Sequence, residues 1–330
     1  MKRGMSAVPS DLLSEEAFSP LSGSPLVLLA PGERVPTGAV AVLVDRDGHL
    51  PDVDAAAYDA LVTTRAGAPM PWVSVAPGRL GAQLGAVQAM AARAPIATAL
   101  LARVVRHGEG LAFDTALELE SLAYSALLGG DEFARWMAAR PAPDAGVQAA
   151  DPVRYARDEE HVTLTLASPG NRNAMTAAMR DALYEALVNV LEDPSSPDLT
   201  LQAEGKCFST GGSLAEFGTA RDLARAHVIR TQHSAARVLH RLGSRATARL
   251  HGACIGSGIE VPAAAAHRIA AADLVVQLPE LGMGLIPGAG GTVTLVRAIG
   301  RQRLLWLALG AFRIGAAQAL DWGLIHAIEP

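Results

Sequence analysis

An α/β fold is predicted for the C-terminal half of this 330-residue chain, and three observations carry the prediction. From about residue 153, short β-type runs alternate with segments of helical periodicity. Glycine clusters sit where a strand run hands over to a helix run. Hydrophobic residues make up 50% of the chain against 18% charged, enough to bury a sizeable core.

Taken in order, residues 1–77 hold two short β-like runs, "PLVLLA" and "AVAVLVD", with proline- and glycine-rich joints. Residues 78–140 show apolar residues at helical spacing in "RLGAQLGAVQAMAARAPIATALLARVVRHG" and "FDTALELESLAYSALLGGDEFARWMAAR". "PAPDAGVQAADP" (141–152) reads as a linker. These boundaries predict a small α/β region over 1–77, a helical region with its linker over 78–150, and a catalytic core over 151–330. Within the core, "HVTLTLAS" alternates like a half-buried strand, and "NAMTAAMRDALYEALVNVLED" is an amphipathic helix. "LTLQAEG" is a strand, and "FSTGGSLAEF" is a turn entering a helix. A long helix through 221–242 is followed by a strand, "ATARLHGACIG", a helix, "SGIEVPAAAAH", and two short strands in "HRIAAADLVVQLPE".

The bulk numbers exclude several classes. A formal net charge of −5 argues against binding nucleic acid by bulk charge. Only Cys207 and Cys254 are present, which excludes a disulfide scaffold and a cysteine-based zinc site. "MKRGMSAVPSDLLSEEAF" lacks the apolar stretch of a secretory signal, and no apolar run approaches a membrane span; "LLWLALGAF" is among the longest. A soluble cytoplasmic protein without membrane or nucleic-acid partners is expected.

Two glutamates stand out in the nearly apolar stretch 251–292, because a buried carboxylate is costly unless paired, hydrogen-bonded or used. Glu260 lies in "GACIGSGIE", where free N–H groups at a helix start form an anion site. Ser257 and Glu260 also fit a capping box, a purely structural role. Glu280, in "QLPELGMGLIPGAGGT", could simply open a helix behind Pro279. That glycine-rich run lacks the ending of a P-loop and the setting of a dinucleotide fingerprint. "GKCFSTGGSLAEF" (205–217) is a second glycine-rich junction. Together, two such junctions could polarise one carbonyl oxygen with backbone N–H groups while two carboxyls manage a water. Arg230, Arg237 and Arg241, with Gln232, read as a solvated helix face. His233 and His240 are one heptad apart, about 10 Å along a helix, too far to share a metal.

These motifs resemble the crotonase superfamily, the enoyl-CoA hydratase/isomerase proteins. "NRNAM" (171–175), "FSTGGSL" (208–214), "HGACIGSGIE" (251–260), "LPELGMGLIPGAGGT" (278–292) and "GLIHAI" (323–328) follow the family's motifs in order. The resemblance implies a crotonase-like ββα spiral core over about 153–330. It implies Glu260 and Glu280 as the two catalytic acids of the hydratase branch, and the backbone N–H groups of Thr210 and Ser257 as an oxyanion hole. Arg172, Ala174, Phe208, Ser209, Gly211, Gly212, Ser213, Gly256, Pro279 and Gly288 would contact the substrate or its coenzyme A. No metal or resident cofactor is implied, since coenzyme A arrives with the acyl thioester, and a homo-oligomer, trimer or dimer of trimers, is expected. Ser213 stands where many members have aspartate, and Pro262 follows the first glutamate. The first change would alter contacts near the thioester, the second would tilt the helix carrying Glu260.

Family members continue past "GLIHAI" into a helical tail, whereas this sequence ends at Pro330. Residues 92–143 resemble such a tail, which suggests a permuted or duplicated arrangement, or else an unrelated helical extension. The reaction expected is hydration of a 2-enoyl-CoA or its reverse. Other acyl-CoA chemistry on the same fold (isomerisation, C–C cleavage, cofactor-free oxygenation) is the alternative, and non-catalytic acyl-CoA binding is a third.

Overall fold

The computed structural model describes residues 16–142 and 146–329. The stretch read as lacking a secretory signal falls almost wholly before residue 16. Residues 143–145 of the linker and the terminal Pro330 also lie outside the described residues.

The first block holds four strands rather than two. They are β1 (Leu26–Leu29), β2 (Val40–Asp45), β3 (Ala60–Thr63) and β4 (Val73–Ser74), all parallel and adjacent in chain order. β3 is four residues long and β4 two, too short for any alternation to show in the sequence. β2 is buried along its whole length, as a parallel strand covered on both faces must be. Four helices follow as the periodicity predicts: α1 (Pro77–Arg93), α2 (Pro95–Gly108), α3 (Phe113–Leu128) and α4 (Asp131–Ala139). Proline begins α1 and α2, where its missing N–H costs nothing. Asp59, fully buried before β3, accepts from Ala41 N (2.8 Å) and pairs with Arg106 of α2, which ties sheet to helix.

The core begins with the antiparallel pair β5 (Val153–Asp158) and β6 (His161–Leu166), then α5 (Ala177–Glu192) and β7 (Asp198–Ala203). The helix expected over 221–242 is two, α6 (Leu223–Gln232) and α7 (Ala235–Leu242), because Ser234 caps a fresh start by accepting from Arg237 N. No helix follows "FSTGG" directly; residues 214–218 are turn. "ATARLHGACIG" divides into β8 (Ala246–Leu250) and β9 (Ala253–Ile255) at Gly252, whose φ of +53° makes the corner. "SGIEVPAAAAH" supplies only one turn, α8 (Ser257–Glu260), which Pro262 keeps from continuing, and a short 3₁₀ turn. β10 (His267–Ala271) and β11 (Val275–Gln277) precede α9 (Gly291–Ile299) and α10 (Arg301–Leu309). β12 (Arg313–Gly315), α11 (Ala316–Asp321) and β13 (Ala327–Glu329) complete the chain.

The strands form a six-stranded sheet, β13-β10-β8-β7-β6-β5, parallel except at β5, and a three-stranded sheet, β12-β11-β9. One hydrophobic core runs through both halves of the chain. Every residue of α10 is buried. Its polar first turn is matched to the N-terminal block: Arg301 and Gln302 donate to carbonyls of Ala55 and Ala56, Arg303 to those of Trp72 and Ala68. Among the described residues no single helix is long and apolar enough to cross a membrane.

Candidate active site

Register brings the two glutamates together. β9 and β11 pair in parallel, with Ile255 opposite Gln277, so the residues that follow each strand emerge side by side. Gly256 N donates to Gln277 O (3.0 Å) and completes the junction. Glu260 and Glu280 then converge above Gly256. A Cβ at that glycine would lie 2.6 Å from Glu280 Oε1 and 3.8 Å from Glu260 Oε1. Only glycine fits there, in part because its φ is +51°.

The 208–212 turn is pinned against the same junction. Ser209 N donates to Ala253 O (3.1 Å) and Ile255 N to Ser209 O (3.1 Å). Gly211 and Gly258 permit the approach: a Cβ would come within 2.6 Å of Ile255 O at the first and 2.5 Å of Ser209 O at the second. Ser257 N, at the first position of α8, has no acceptor among the described residues, and the Ser257 hydroxyl is buried without a partner.

A cavity of about 400 Å³ opens over this junction. Gly212, Ser213, Ser257, Glu260, Glu280 and Gly288 of the expected site line it. Phe208 and Ser209 are fully buried instead, and the Ser209 hydroxyl is spent on Asn173 O and Gly211 N. Their part is to hold the turn rather than to present side chains. Thr210, Arg172, Ala174, Gly211, Gly256 and Pro279 are not among its lining residues. Thr210 departs from its expected role in one respect: its N–H donates to Arg172 O (3.2 Å). Of the two expected oxyanion donors, Ser257 alone is free.

The acids differ in environment. Glu260 Oε2 accepts from Ala289 N (2.7 Å) and Gly291 N (3.0 Å). Burial outweighs these amides and raises its carboxyl to about 7. Glu280 is raised well above the usual range by burial and by Glu260's charge, and its Oε2 is buried with no partner. A third acid joins them. Glu120, from α3, accepts from Gly290 N (2.7 Å), Thr292 N (2.8 Å) and Thr292 Oγ1 (2.7 Å). Burial, then repulsion from Glu260, lifts it to about 8.

Glu120 belongs to a face that sequence reasoning passed over. Leu117, Glu120, Ser121, Tyr124 and Leu128 all line the cavity, at helical i, i+3, i+4, i+7 and i+11 spacing. The signal was an acid and a hydroxyl on the otherwise apolar stripe of "LELESLAY". Arg230 was also misplaced. It lies half-buried against the cavity rather than on a solvated face, donating from Nη1 to Ser121 and Ser125 and stacking over the Tyr124 ring at 4.6 Å. Arg241 keeps the surface role, pairing with the exposed Asp114 (2.6 Å). His240 stacks on Phe113 and His233 on Tyr184. Among the described residues no cluster of possible metal ligands occurs.

Fold and site together define the class of protein, and comparison with known sequences agrees. A sequence profile described as Enoyl-CoA hydratase/isomerase matches residues 161–329. The chain belongs to that family, the crotonase superfamily. A probable enoyl-CoA hydratase of Bacillus subtilis (strain 168) is 30% identical over 176 residues, which cover 52% of this chain and 67% of the relative. The enoyl-CoA isomerase/hydratase fer4 of Mycosarcoma maydis is 34% identical over 179 residues, 51% of this chain and 64% of that protein. The fatty acid oxidation complex subunit alpha of Shewanella sp. (strain W3-18-1) is matched over 25% of its length at 30% identity. The chain therefore spans between a quarter and two thirds of these relatives. Among solved structures, an enoyl-CoA hydratase from Thermoplasma volcanium GSS1 superposes with a TM-score of 0.50 at 26% identity, over 55% of this chain and 72% of that one. A putative enoyl-CoA hydratase/isomerase from Mycobacterium abscessus gives a TM-score of 0.50 at 28% identity, over 53% and 70%.

Proposed function

We propose that the protein adds water across the double bond of a 2-enoyl-CoA thioester, or removes it in reverse. The observation that carries this reading is the pair of carboxyls over Gly256, one of them anchored by two amides and the other with one oxygen buried and unpartnered. Glu260, held by N–H donors that favour its charged form, is the acid ionised first. Glu280 keeps its proton. In the hydration direction Glu260 takes a proton from water as its oxygen bonds to the β carbon, and Glu280 gives its proton to the α carbon. The thioester C=O then re-forms, the product is a 3-hydroxyacyl thioester, and the proton on Glu260 returns to Glu280 through solvent or directly. Such paired acid–base work contributes about 10²–10⁴ in rate. The Ser257 amide, and the Thr210 amide once released from Arg172 O, would hold the charge that builds on the thioester oxygen, each donor worth about 10²–10³.

Isomerases of the same fold usually keep one acid or place it elsewhere, and plain acyl-CoA binding needs neither. The proposal includes a cytoplasmic homotrimer or dimer of trimers with no resident cofactor. It also includes a permuted or duplicated chain order, in which helices preceding the core supply one wall of its cavity. Loss of the conjugated enoyl-thioester absorbance on mixing crotonyl-CoA with the protein tests the reaction, and light scattering tests the assembly.

A further inference from the structure

Arg230 carries a positive charge into the cavity and is not neutralised there. Its hydrogen bonds leave from Nη1 and end on uncharged oxygens: Ser121 Oγ (2.8 Å), Ser125 Oγ (3.1 Å) and Ser121 O (3.3 Å). Among the described residues it forms no ion pair. Its Nε and Nη2 make no hydrogen bond among them either. Glu120 acts on it only through space: the hydrogen bonds its oxygens accept come from Gly290 and Thr292. Arg180 and His233, which also line the cavity, are both directed to Asp181 (2.8 and 3.4 Å).

Tyr124 supports one face of the guanidinium at 4.6 Å, and the same ring packs on Gly288 so closely that a Cβ there would overlap it. Gly288 adjoins the Ala289 amide that holds Glu260. The cation thus stands one aromatic ring away from the acid pair, in the same 400 Å³ cavity, with its Nε–Nη2 edge unused. A half-buried cation held by neutral hydroxyls is costly unless a ligand brings the counter-charge. A planar fork with one edge open fits a carboxylate bidentately.

We propose that the acyl group this site takes is short and ends in a carboxylate, which docks on Arg230 while the thioester lies at the glutamates. The inference rests on the acyl-CoA reading and names the substrate class within it.

The test uses matched thioesters with and without the terminal carboxylate. Binding of glutaryl-CoA and valeryl-CoA is measured by calorimetry on wild type, Arg230→Gln and Arg230→Lys, with free coenzyme A as reference. Turnover of glutaconyl-CoA and 2-pentenoyl-CoA is followed in parallel. The proposal expects wild type to prefer the carboxylated member of each pair by roughly ten- to a hundredfold, the scale of a charge-assisted pair. Arg230→Gln removes that preference, and Arg230→Lys, which keeps the charge, retains part of it. Equal binding of both thioesters to wild type, or a preference that survives in Arg230→Gln, overturns the proposal. So does an Arg230→Gln loss shared equally by free coenzyme A, which would assign the cation to the nucleotide's phosphates. If the binding preference holds but neither enoyl thioester is hydrated, the substrate class stands and the hydratase reading fails. If both are hydrated without preference, the reverse is true.

Discussion

Glu120 and Glu260 take alternate amides of one four-residue stretch: Glu260 accepts from Ala289 and Gly291, Glu120 from Gly290 and Thr292. One acid comes from the core and the other from a helix that precedes the core in the chain. Between them they occupy the N–H groups at the start of α9, where a negative charge is favoured. Glu120 should therefore position Glu260. Replacing it with glutamine turns one acceptor oxygen into a donor facing the same buried amides. Glu120→Gln should lower kcat about tenfold or more, as loss of a neighbour that sets catalytic geometry does, with acyl-CoA binding little changed. A fall in thermal stability with kcat unmoved would reduce Glu120 to a structural role.

The three cavity acids make stability depend on pH in a definite direction. Their folded values, about 7 for Glu260, about 8 for Glu120 and well raised for Glu280, exceed the ordinary 4.5 of the unfolded chain. The folded state then binds protons more tightly. The contribution is complete below pH 4.5 and is lost as pH rises through 7 to 8. The slope of Tm against pH across that window should be negative in the terms these groups supply, and flatter in Glu120→Gln. An identical slope in wild type and Glu120→Gln would contradict the burial argument.

Activity should follow the division of labour between the glutamates. As pH falls through about 7, Glu260 gains a proton and kcat/KM should decline. A second decline is expected at higher pH, where Glu280 loses the proton it donates. A flat profile between about pH 5 and about pH 9 would remove the acid–base assignment.

Close backbone approach gives a steric prediction. Gly211 has φ +85° and sits where a Cβ would lie 2.6 Å from Ile255 O. Gly211→Ala should cost at least about 1–3 kcal/mol from the left-handed conformation alone. It should also pull the 208–212 turn off the junction, with loss of activity beyond the loss of stability. Wild-type turnover by a stably folded Gly211→Ala protein would show that the turn's position is immaterial to catalysis.

The legible part of the site was the part written locally. Glu260 and Glu280 each sit beside a glycine-rich turn, whereas the β9–β11 register that joins them is not local, because β10 lies between the two strands in the chain. Glu120, Tyr124 and Arg230 reach the cavity only through the packing of α3 on α6 and α9, a relation no spacing in the sequence expresses. An acid on an apolar helical stripe was the available clue. Local pattern likewise gave α1 through α4, whereas β3 and β4 were too short to register. The break at Ser234 was hidden because both halves of 221–242 keep helical composition. The engagement of the Thr210 amide with Arg172 O depends on residues 172 and 173 adopting positive φ, of 60° and 51°, which the sequence does not announce.

The most direct test mixes an enoyl-CoA with wild type, Glu260→Gln and Glu280→Gln and follows the conjugated absorbance, with acyl-CoA binding measured alongside. The account predicts hydration by wild type and a fall of about 10²–10⁴ in each variant, with binding retained. Hydration undiminished by either substitution, or binding without any turnover by wild type, would contradict it.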